Sequence, residues 1–462
     1  MAEAESSHLL PQLLVESIER QTGGRITDVV PRAGGGASRA GAEVGVILAD
    51  GSHERGYLSW DTRLGDVTRP PAFEREAAIL SALSGLYRGR GVNAPRLIAT
   101  EPAMFALFTA LVPGTDKWIT VEPEAERIAS AHDFVRQIAA LHAIDPREHP
   151  LPGFGDPGIP TSQRVREKLR ELRQLNLATT PDAILLLAIQ WLEENVPPDD
   201  GPPVIVHGDA GPLNFLNHEG QCTALLDWEL THYGDPMEDL AGVWVRMLFN
   251  PFIPMREVIE AYVAASGRKV DIVRVKYFRL FFQISFTVPS RALDADAKSL
   301  PAMAGTRMLF STAHLRIIVQ QIAELSGLAL DTYDAPNVMP TQADRAFQIA
   351  LDDIRQIIVP RASDQLAAGK AKSIARMIKF WRQRERYGAT YDRLEIGETE
   401  RAIGGEYGSL AEARHALAHA VAGSRVDRIT ALNLCNRRML RETELMGDAM
   451  GWFKTTYFPH LD

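Results

Sequence analysis

The chain has 462 residues, of which 45% are apolar, 24% charged and 7% aromatic, the balance of a globular protein of about two to three domains. Collagen, coiled coil and wholesale disorder are excluded. A formal net charge of -9 leaves no electrostatic footprint for duplex nucleic acid or an anionic membrane surface, so neither is expected as a partner.

In chain order, Met1-Ala2-Glu3-Ala4-Glu5 has neither the basic start nor the apolar core of a signal peptide, which points to a cytoplasmic protein. Residues 26–31 form a short β-prone run, Gly34-Gly35-Gly36-Ala37-Ser38 a turn, and residues 43–48 a second β-prone run. Asp50-Gly51 then predicts a hairpin turn into a third run over residues 56–60. Over residues 71–86, Phe73, Ala77, Leu80, Leu83 and Leu86 recur at helical spacing. Two further β-prone stretches, residues 95–98 and 104–112, end at Pro113-Gly114. The first hundred or so residues therefore read as strands with little helix.

From about residue 120 to 330 long amphipathic helices dominate, for example over residues 125–142 and 182–194. One compact β-like island, residues 203–228, interrupts them. In it the apolar runs Val204-Ile205-Val206 and Thr223-Ala224-Leu225-Leu226 flank polar residues, an arrangement that would hold a catalytic loop rigidly. Residues 277–288 are the most apolar stretch, but Arg279 and Gln283 interrupt it and it is too short to cross a bilayer. Residues 331–340 read as a linker, and the rest as a helical module with 19 basic and 16 acidic residues from position 340 onward, net +3 against -12 for the remainder. The only cysteines, Cys222 and Cys435, lack any zinc-binding spacing and fit a reducing compartment.

The informative stretch is His207-Gly208-Asp209-Ala210-Gly211-Pro212-Leu213-Asn214, followed after the second apolar run by Asp227-Trp228-Glu229. Phosphoryl transfer from a nucleotide needs a carboxylate to take the proton of the attacking hydroxyl and oxygen ligands for Mg²⁺ on the phosphates. This stretch offers both. Protein kinases do the same work with H-R-D-x-x-x-x-N and a later D-F-G aspartate. Here Asp209 and Asn214 keep the five-residue step, and Asp227 lies at the end of an apolar strand.

With Ile138-Ala139-Ala140-Leu141-His142 and Gly234-Asp235-Pro236-Met237-Glu238-Asp239-Leu240, these motifs resemble the aminoglycoside phosphotransferase and choline kinase group, a small-molecule branch of the protein-kinase-like fold, over roughly residues 20–330. The resemblance implies an α+β, two-lobed fold, with a β-rich N-lobe and a helical C-lobe, here carrying an additional C-terminal helical domain. The expected domains are a nucleotide-clamping lobe (1–112), a helical lobe with the catalytic loop (113–335) and an accessory domain (340–462). It further implies Asp209 as catalytic base, Asn214 and Asp227 as Mg²⁺ ligands, and Glu229 as a carboxylate beside the metal. His207 would orient the loop, and Asp235 and Asp239 would brace it. ATP, with GTP second, is the expected phosphate donor. Gly35, Gly36 and Ser38 of the glycine turn would approach its phosphates. Ala110 and Leu111 would face its base, and Glu76 matches the family's ion-pairing glutamate.

One position departs from the family. The third strand should carry a Lys or Arg for the phosphates, but Ser59 or Trp60 stands there, leaving Arg39, Arg55 and Arg63 as candidates. A module that only binds nucleotide would tolerate that loss, yet it would not need both the base and the metal ligands.

The expected function is transfer of a phosphoryl group to a hydroxyl of a small molecule. Pro340-Thr341-Gln342-Ala343-Asp344, opening a helical domain of this size, resembles the accessory protein of hydroxyacyl-CoA kinases, and on that resemblance a hydroxyacyl-CoA or related hydroxy compound ranks first as acceptor. An aminoglycoside ranks second. Homo-oligomerisation through the C-terminal domain is the remaining partner expectation. Within that domain, Lys372, Arg376 and Lys379 share a helical face, continued by Arg382 and Arg386. His415 and His419 stand at i, i+4 without the glutamate of a metalloprotease motif.

Overall fold

The computed structural model describes residues 9–32, 39–61, 69–295, 303–332, 336–459 and 461. Helix α1 (Gln12–Thr22) leads into strands β1 (Arg25–Arg32), β2 (Arg39–Ile47) and β3 (His53–Asp61), helix α2 (Arg69–Ser84), and strands β4 (Leu97–Glu101) and β5 (Ala106–Ala110). Then come α3 (Glu124–His142), α4 (Thr161–Thr179), α5 (Ala183–Glu194), β6 (Val204–Val206), β7 (Phe215–His218), β8 (Gln221–Leu225) and β9 (His232–Gly234). Helices α6 (Met237–Met247), α7 (Met255–Ser266), α8 (Ile272–Ala295) and α9 (Ala304–Ser326) follow. The C-terminal part holds α10 (Asp344–Asp353), α11 (Val359–Arg361), α12 (Gln365–Ile403), α13 (Leu410–Ala422) and α14 (Arg428–Met446). Two compact units form, one of residues 1–164, 199–275 and 460–462, the other of residues 165–198 and 276–459.

In the first unit five antiparallel strands lie in the order β1-β2-β3-β5-β4. Alternate residues of β2, namely Ala42, Val44 and Val46, turn to one face with Leu58 and Phe108, as the period of two requires. Leu14 and Ile18 of α1 cover that face. The succession of strands and helix along the chain matches expectation, but α1 was not expected. No side chain caps it, so an isolated eleven-residue helix would be marginal and it draws its stability from packing on the sheet.

The two apolar runs of the β-like island do not pair with each other. β6 pairs antiparallel with β9, and β8 with β7. The polar insert therefore leaves one small ribbon and enters another, fixed at both ends. Beside it, Asp235 starts α6 by accepting a hydrogen bond from the Met237 N–H at 2.9 Å. Glu238 and Asp239 lie in the first turn of α6 and Arg246 in its last, each matching the sign of the helix dipole at its end.

In the second unit α5, Ala-Ile-Leu-Leu-Leu-Ala-Ile-Gln-Trp-Leu-Glu-Glu, is apolar almost all round and has nine buried residues, as a central helix should. Asp182 caps it, accepting from the Ile184 N–H at 2.9 Å, and also receives Arg438 at 3.0 Å and Arg291 at 3.1 Å. Helix α13 packs on α5, and α12 and α14 pack on α9. The C-terminal helices thus share a core with α5 and α9. Both cysteines are buried and unpaired. Among the described residues no helix is long and apolar enough to cross a membrane.

Candidate active site

The loop between β6 and β7 places Asp209 and Asn214 in direct contact. Asn214 Nδ2 donates to Asp209 Oδ2 at 2.8 Å and to the Asp209 carbonyl at 2.8 Å. Gly208 precedes them with φ +83°, and a Cβ there would fall 2.2 Å from the Leu230 carbonyl oxygen. Only glycine fits this close backbone crossing.

Asp239, on the first turn of α6, anchors the start of the loop. Its Oδ2 accepts from the His207 N–H at 2.8 Å and its Oδ1 from the Gly208 N–H at 2.9 Å. Behind it, Asp239 Oδ2 lies 2.9 Å from His142 Nε2, and His142 Nδ1 lies 2.8 Å from the Tyr262 hydroxyl. With the carboxylate accepting from Nε2–H, the tyrosine hydroxyl donates to Nδ1. Burial alone would raise the Asp239 pKa, but the hydrogen bonds from His142 and from the His207 N–H hold it below the ordinary value. His207 is fully buried, and its Nδ1 accepts from the Asp209 N–H at 3.3 Å. Burial pushes the ring down to about 4, so it is a neutral brace. Asp235 accepts from Arg274 Nε at 2.7 Å in addition to capping α6. Asp239 thus bonds directly to the loop backbone, whereas Asp235 bonds to the start of α6 and to Arg274.

Asp227 follows β8 with φ +65°, a left-handed conformation that is costly for a residue other than glycine and is concentrated at functional sites. Its carboxyl is pushed up to about 7 by burial first, then by Glu229, Asp209 and Glu76, with Arg39 opposing. Asp209 is also raised by burial, against the pull of Arg246 and Asn214. Four carboxylates therefore act on one another here. The Leu226 N–H donates to the Asn214 carbonyl at 2.9 Å, fixing the Asp227 turn against the loop.

Of the candidate cations, Arg39 on β2 lies at this cluster. Arg39 donates Nη1 to Glu76 Oε1 at 3.2 Å and Nη2 to Glu76 Oε2 at 2.5 Å, a two-pronged pair, and lies 3.7 Å from Glu229. The two side chains are only 14% and 6% exposed. Arg55 instead pairs with Asp28 at 2.8 Å on the surface. Arg63 lies outside the described residues, as do Gly35, Gly36 and Ser38.

At the end of β5 the Ala110 N–H donates to the Arg96 carbonyl at 2.8 Å and the Leu111 N–H to the Arg55 carbonyl at 3.0 Å. Neither N–H can reach a bound base without giving up a bond of the sheet.

Arg246 is the residue that sequence reasoning missed. Its Nη1 donates to Asp209 Oδ1 at 2.6 Å, its Nη2 to Asn214 Oδ1 at 2.9 Å, and its Nε to the Pro212 carbonyl at 3.3 Å. The available signal was its place on α6, seven residues after Asp239. Two helical turns separate them on one face, a spacing of about 10 Å.

Among the described residues no group of three or more His, Cys, Asp and Glu side chains is disposed to hold a metal ion. A cation here would rest on Asn214 and Asp227, completed by water or phosphate oxygens. His415 and His419 lie 3.3 Å apart on one helix face without such a group. The basic face of α12 is engaged internally, Arg376 with Thr306, Arg382 with Gln348 and Arg386 with the Val338 carbonyl.

Similarity to known proteins agrees with this geometry. A model of the phosphotransferase enzyme family (APH) matches residues 46–278. Acyl-CoA dehydrogenase family member 11 from Pongo abelii is 30% identical over 244 residues, 49% of this chain and 30% of that protein. The Homo sapiens protein of the same name is 30% identical over 243 residues, again 49% of this chain and 30% of the relative. The matched region thus spans about a third of the length of these relatives. A solved structure from Ralstonia eutropha JMP134, described as a candidate aminoglycoside phosphotransferase, is 21% identical and covers 68% of this chain and 98% of its own, with a TM-score of 0.50. That likeness shows the protein-kinase-like fold, with its β-sheet N-terminal region, mostly helical remainder and extra C-terminal helices here. With the family match spanning half of its length, this chain belongs to the phosphotransferase enzyme family.

Proposed function

We propose that the protein transfers the γ-phosphoryl group of ATP, with GTP the less favoured donor, to a hydroxyl of a small molecule, and that the acceptor class is a hydroxyacyl-CoA or related hydroxy compound. The observation that carries the reading is the contact between Asp209 and Asn214 beside Asp227, with the Arg39–Glu76 pair at the same cluster. Asp209 takes the proton as the acceptor oxygen bonds to the γ-phosphorus. The bond from that phosphorus to the bridging oxygen breaks, and ADP leaves. Arg39, held by Glu76, supplies positive charge where phosphate charge develops.

Asn214 and Asp227 suit Mg²⁺. Their donors are oxygens, which a hard cation prefers: the Asn214 amide oxygen has a second lone pair beyond the one that Arg246 engages, and the Asp227 carboxyl is raised by burial and three neighbouring carboxylates against the pull of Arg39, so that a cation would favour its ionised form. When bound, Mg²⁺ would neutralise phosphate charge and orient the transferring group.

The glycine turn with Gly35, Gly36 and Ser38 is proposed to approach the phosphates, and the segment at Ala110 and Leu111 to approach the base. The acyl-CoA class of acceptor is supported by the names of the curated relatives, and the faint C-terminal resemblance agrees. An accessory role and homo-oligomerisation are proposed for the C-terminal helices, and a cytoplasmic location for the protein.

The test is Mg²⁺-dependent ADP release by wild type and Asp209→Ala across hydroxyacyl-CoAs, free hydroxy acids and aminoglycosides. Release stimulated by the hydroxyacyl-CoAs and lost in the variant supports the reading. Stimulation by aminoglycosides alone replaces the acceptor class, and turnover unaltered in Asp209→Ala removes Asp209 from the mechanism.

A further inference from the structure

Helix α6 grips the catalytic loop twice. Asp239 at its start holds the backbone of His207 and Gly208, and Arg246 at its end holds Asp209, Pro212 and Asn214. The second grip closes a triangle. Arg246 donates to one oxygen of Asp209, Asn214 donates to the other, and Arg246 donates to the amide oxygen of Asn214. Arginine has no acceptor and an ionised carboxylate no donor. One orientation of the Asn214 amide satisfies all three sides, with nitrogen toward Asp209 and oxygen toward Arg246. Each Asp209 oxygen has further lone pairs, so the carboxylate is fixed at two points and still able to receive a proton.

The loop is shaped to admit this side chain. Gly211 has φ +149°, and a Cβ there would fall 2.8 Å from Arg246 Cδ and 3.1 Å from Arg246 Cβ. Real Cβ atoms do not approach so closely, so a side chain at position 211 would displace the arginine stem.

We propose that Arg246 is a positioning residue for phosphoryl transfer, its guanidinium fork locking the base Asp209 and Asn214 into one mutual orientation, with Gly211 providing the passage. This rests on the reading of Asp209 as base. A misplacement of about 1 Å at a reacting group costs on the order of 10²-fold in rate.

The test uses full-length protein with MgATP and the acceptor that stimulates ADP release. Arg246→Ala is expected to keep the KM for ATP within about threefold while kcat falls about 10²-fold, the split that marks a contribution to the transition state. Arg246→Lys, which keeps one donor of the fork, should restore part of the loss, and added guanidinium in the low millimolar range should restore part of the Arg246→Ala rate. Gly211→Ala should lose kcat in the same way with the charge retained. A kcat for Arg246→Ala within about threefold of wild type overturns the proposal. So does a loss that neither lysine nor guanidinium repairs, which would mark a structural role only.

If wild type turns over no acceptor, the proposed function has failed and the crystal structure of Arg246→Ala decides the positioning claim alone. Rotation of Asp209 or Asn214 away from their 2.8 Å contact supports it, and an unchanged contact overturns it.

Discussion

Replacing Arg39 by alanine tests the cation assignment. Its guanidinium is the two-pronged partner of Glu76, and the side chains are 14% and 6% exposed. Removing one member of a buried ion pair costs about 3–5 kcal/mol, because the other charge is left uncompensated. The slight exposure of Arg39 argues for the lower end, about 3 kcal/mol. For a unit of this size that lowers Tm by roughly 6–12 °C. Glu76→Ala should cost less, since Arg39 retains Glu229 at 3.7 Å. The double variant should lose less than the two singles added together, with a coupling of about 1–3 kcal/mol. Denaturant unfolding of the four proteins gives the cycle, and ADP release in parallel should show kcat for Arg39→Ala reduced about 10²–10³-fold, as for loss of one electrostatic donor to the transition state. A coupling below about 0.5 kcal/mol, the level of independent sites, together with unchanged turnover, would refute the assignment and return attention to Arg63.

Three further outcomes concern Asp182, Gly208 and His314. Asp182→Ala should destabilise the second unit by about 3 kcal/mol in denaturant unfolding, the lower end for a broken buried pair, since Arg438 keeps Glu442 at 3.0 Å while α5 loses its cap; a cost under about 1 kcal/mol would show the pair to be neutral. Gly208→Ala should abolish turnover and lower Tm, because the added methyl meets the Leu230 carbonyl; wild-type activity in that variant would contradict the account of the loop. His314 is buried and pushed down to about 4 by that burial, so on acidification the unfolded state takes up the proton first. Stability is then lost as pH falls from 6.5 toward 4, at up to about 1.4 kcal/mol per pH unit. His314→Gln should remove that slope from the unfolding of the second unit, and an unchanged slope would place the dependence elsewhere.

The positions of the strands along the chain and the helices over residues 125–142 and 182–194 were legible because each is an apolar run of the right period between clear turn signals. Helix α1 was not, because its apolar face gains meaning only against the sheet, chiefly at β4. The nearness of Asp209 and Asn214 was legible through their spacing, since a loop held between short strands brings neighbours in sequence together in space. Arg39 and Arg246 pair with residues 37 positions away, and no local pattern encodes such a distance. Asp239 stands in a motif that drew attention to it, whereas Arg246, seven residues later on the same helix, reads as one more polar residue of an amphipathic surface. The C-terminal helices read as an appended module because residues 331–340 look like a linker. In the structure α13 packs on α5 and Gln190 donates to the Val421 carbonyl at 2.8 Å, contacts that follow from tertiary packing alone.

The most direct measurement is transfer of a labelled γ-phosphoryl group from ATP to a hydroxyacyl-CoA, followed by mass and label in the recovered thioester. Wild type should yield a product heavier by one phosphoryl group on its hydroxyl, with one ADP formed per product, and Asp209→Ala should yield none. ADP formation without label in any acceptor, or equal labelling by Asp209→Ala, would contradict the account.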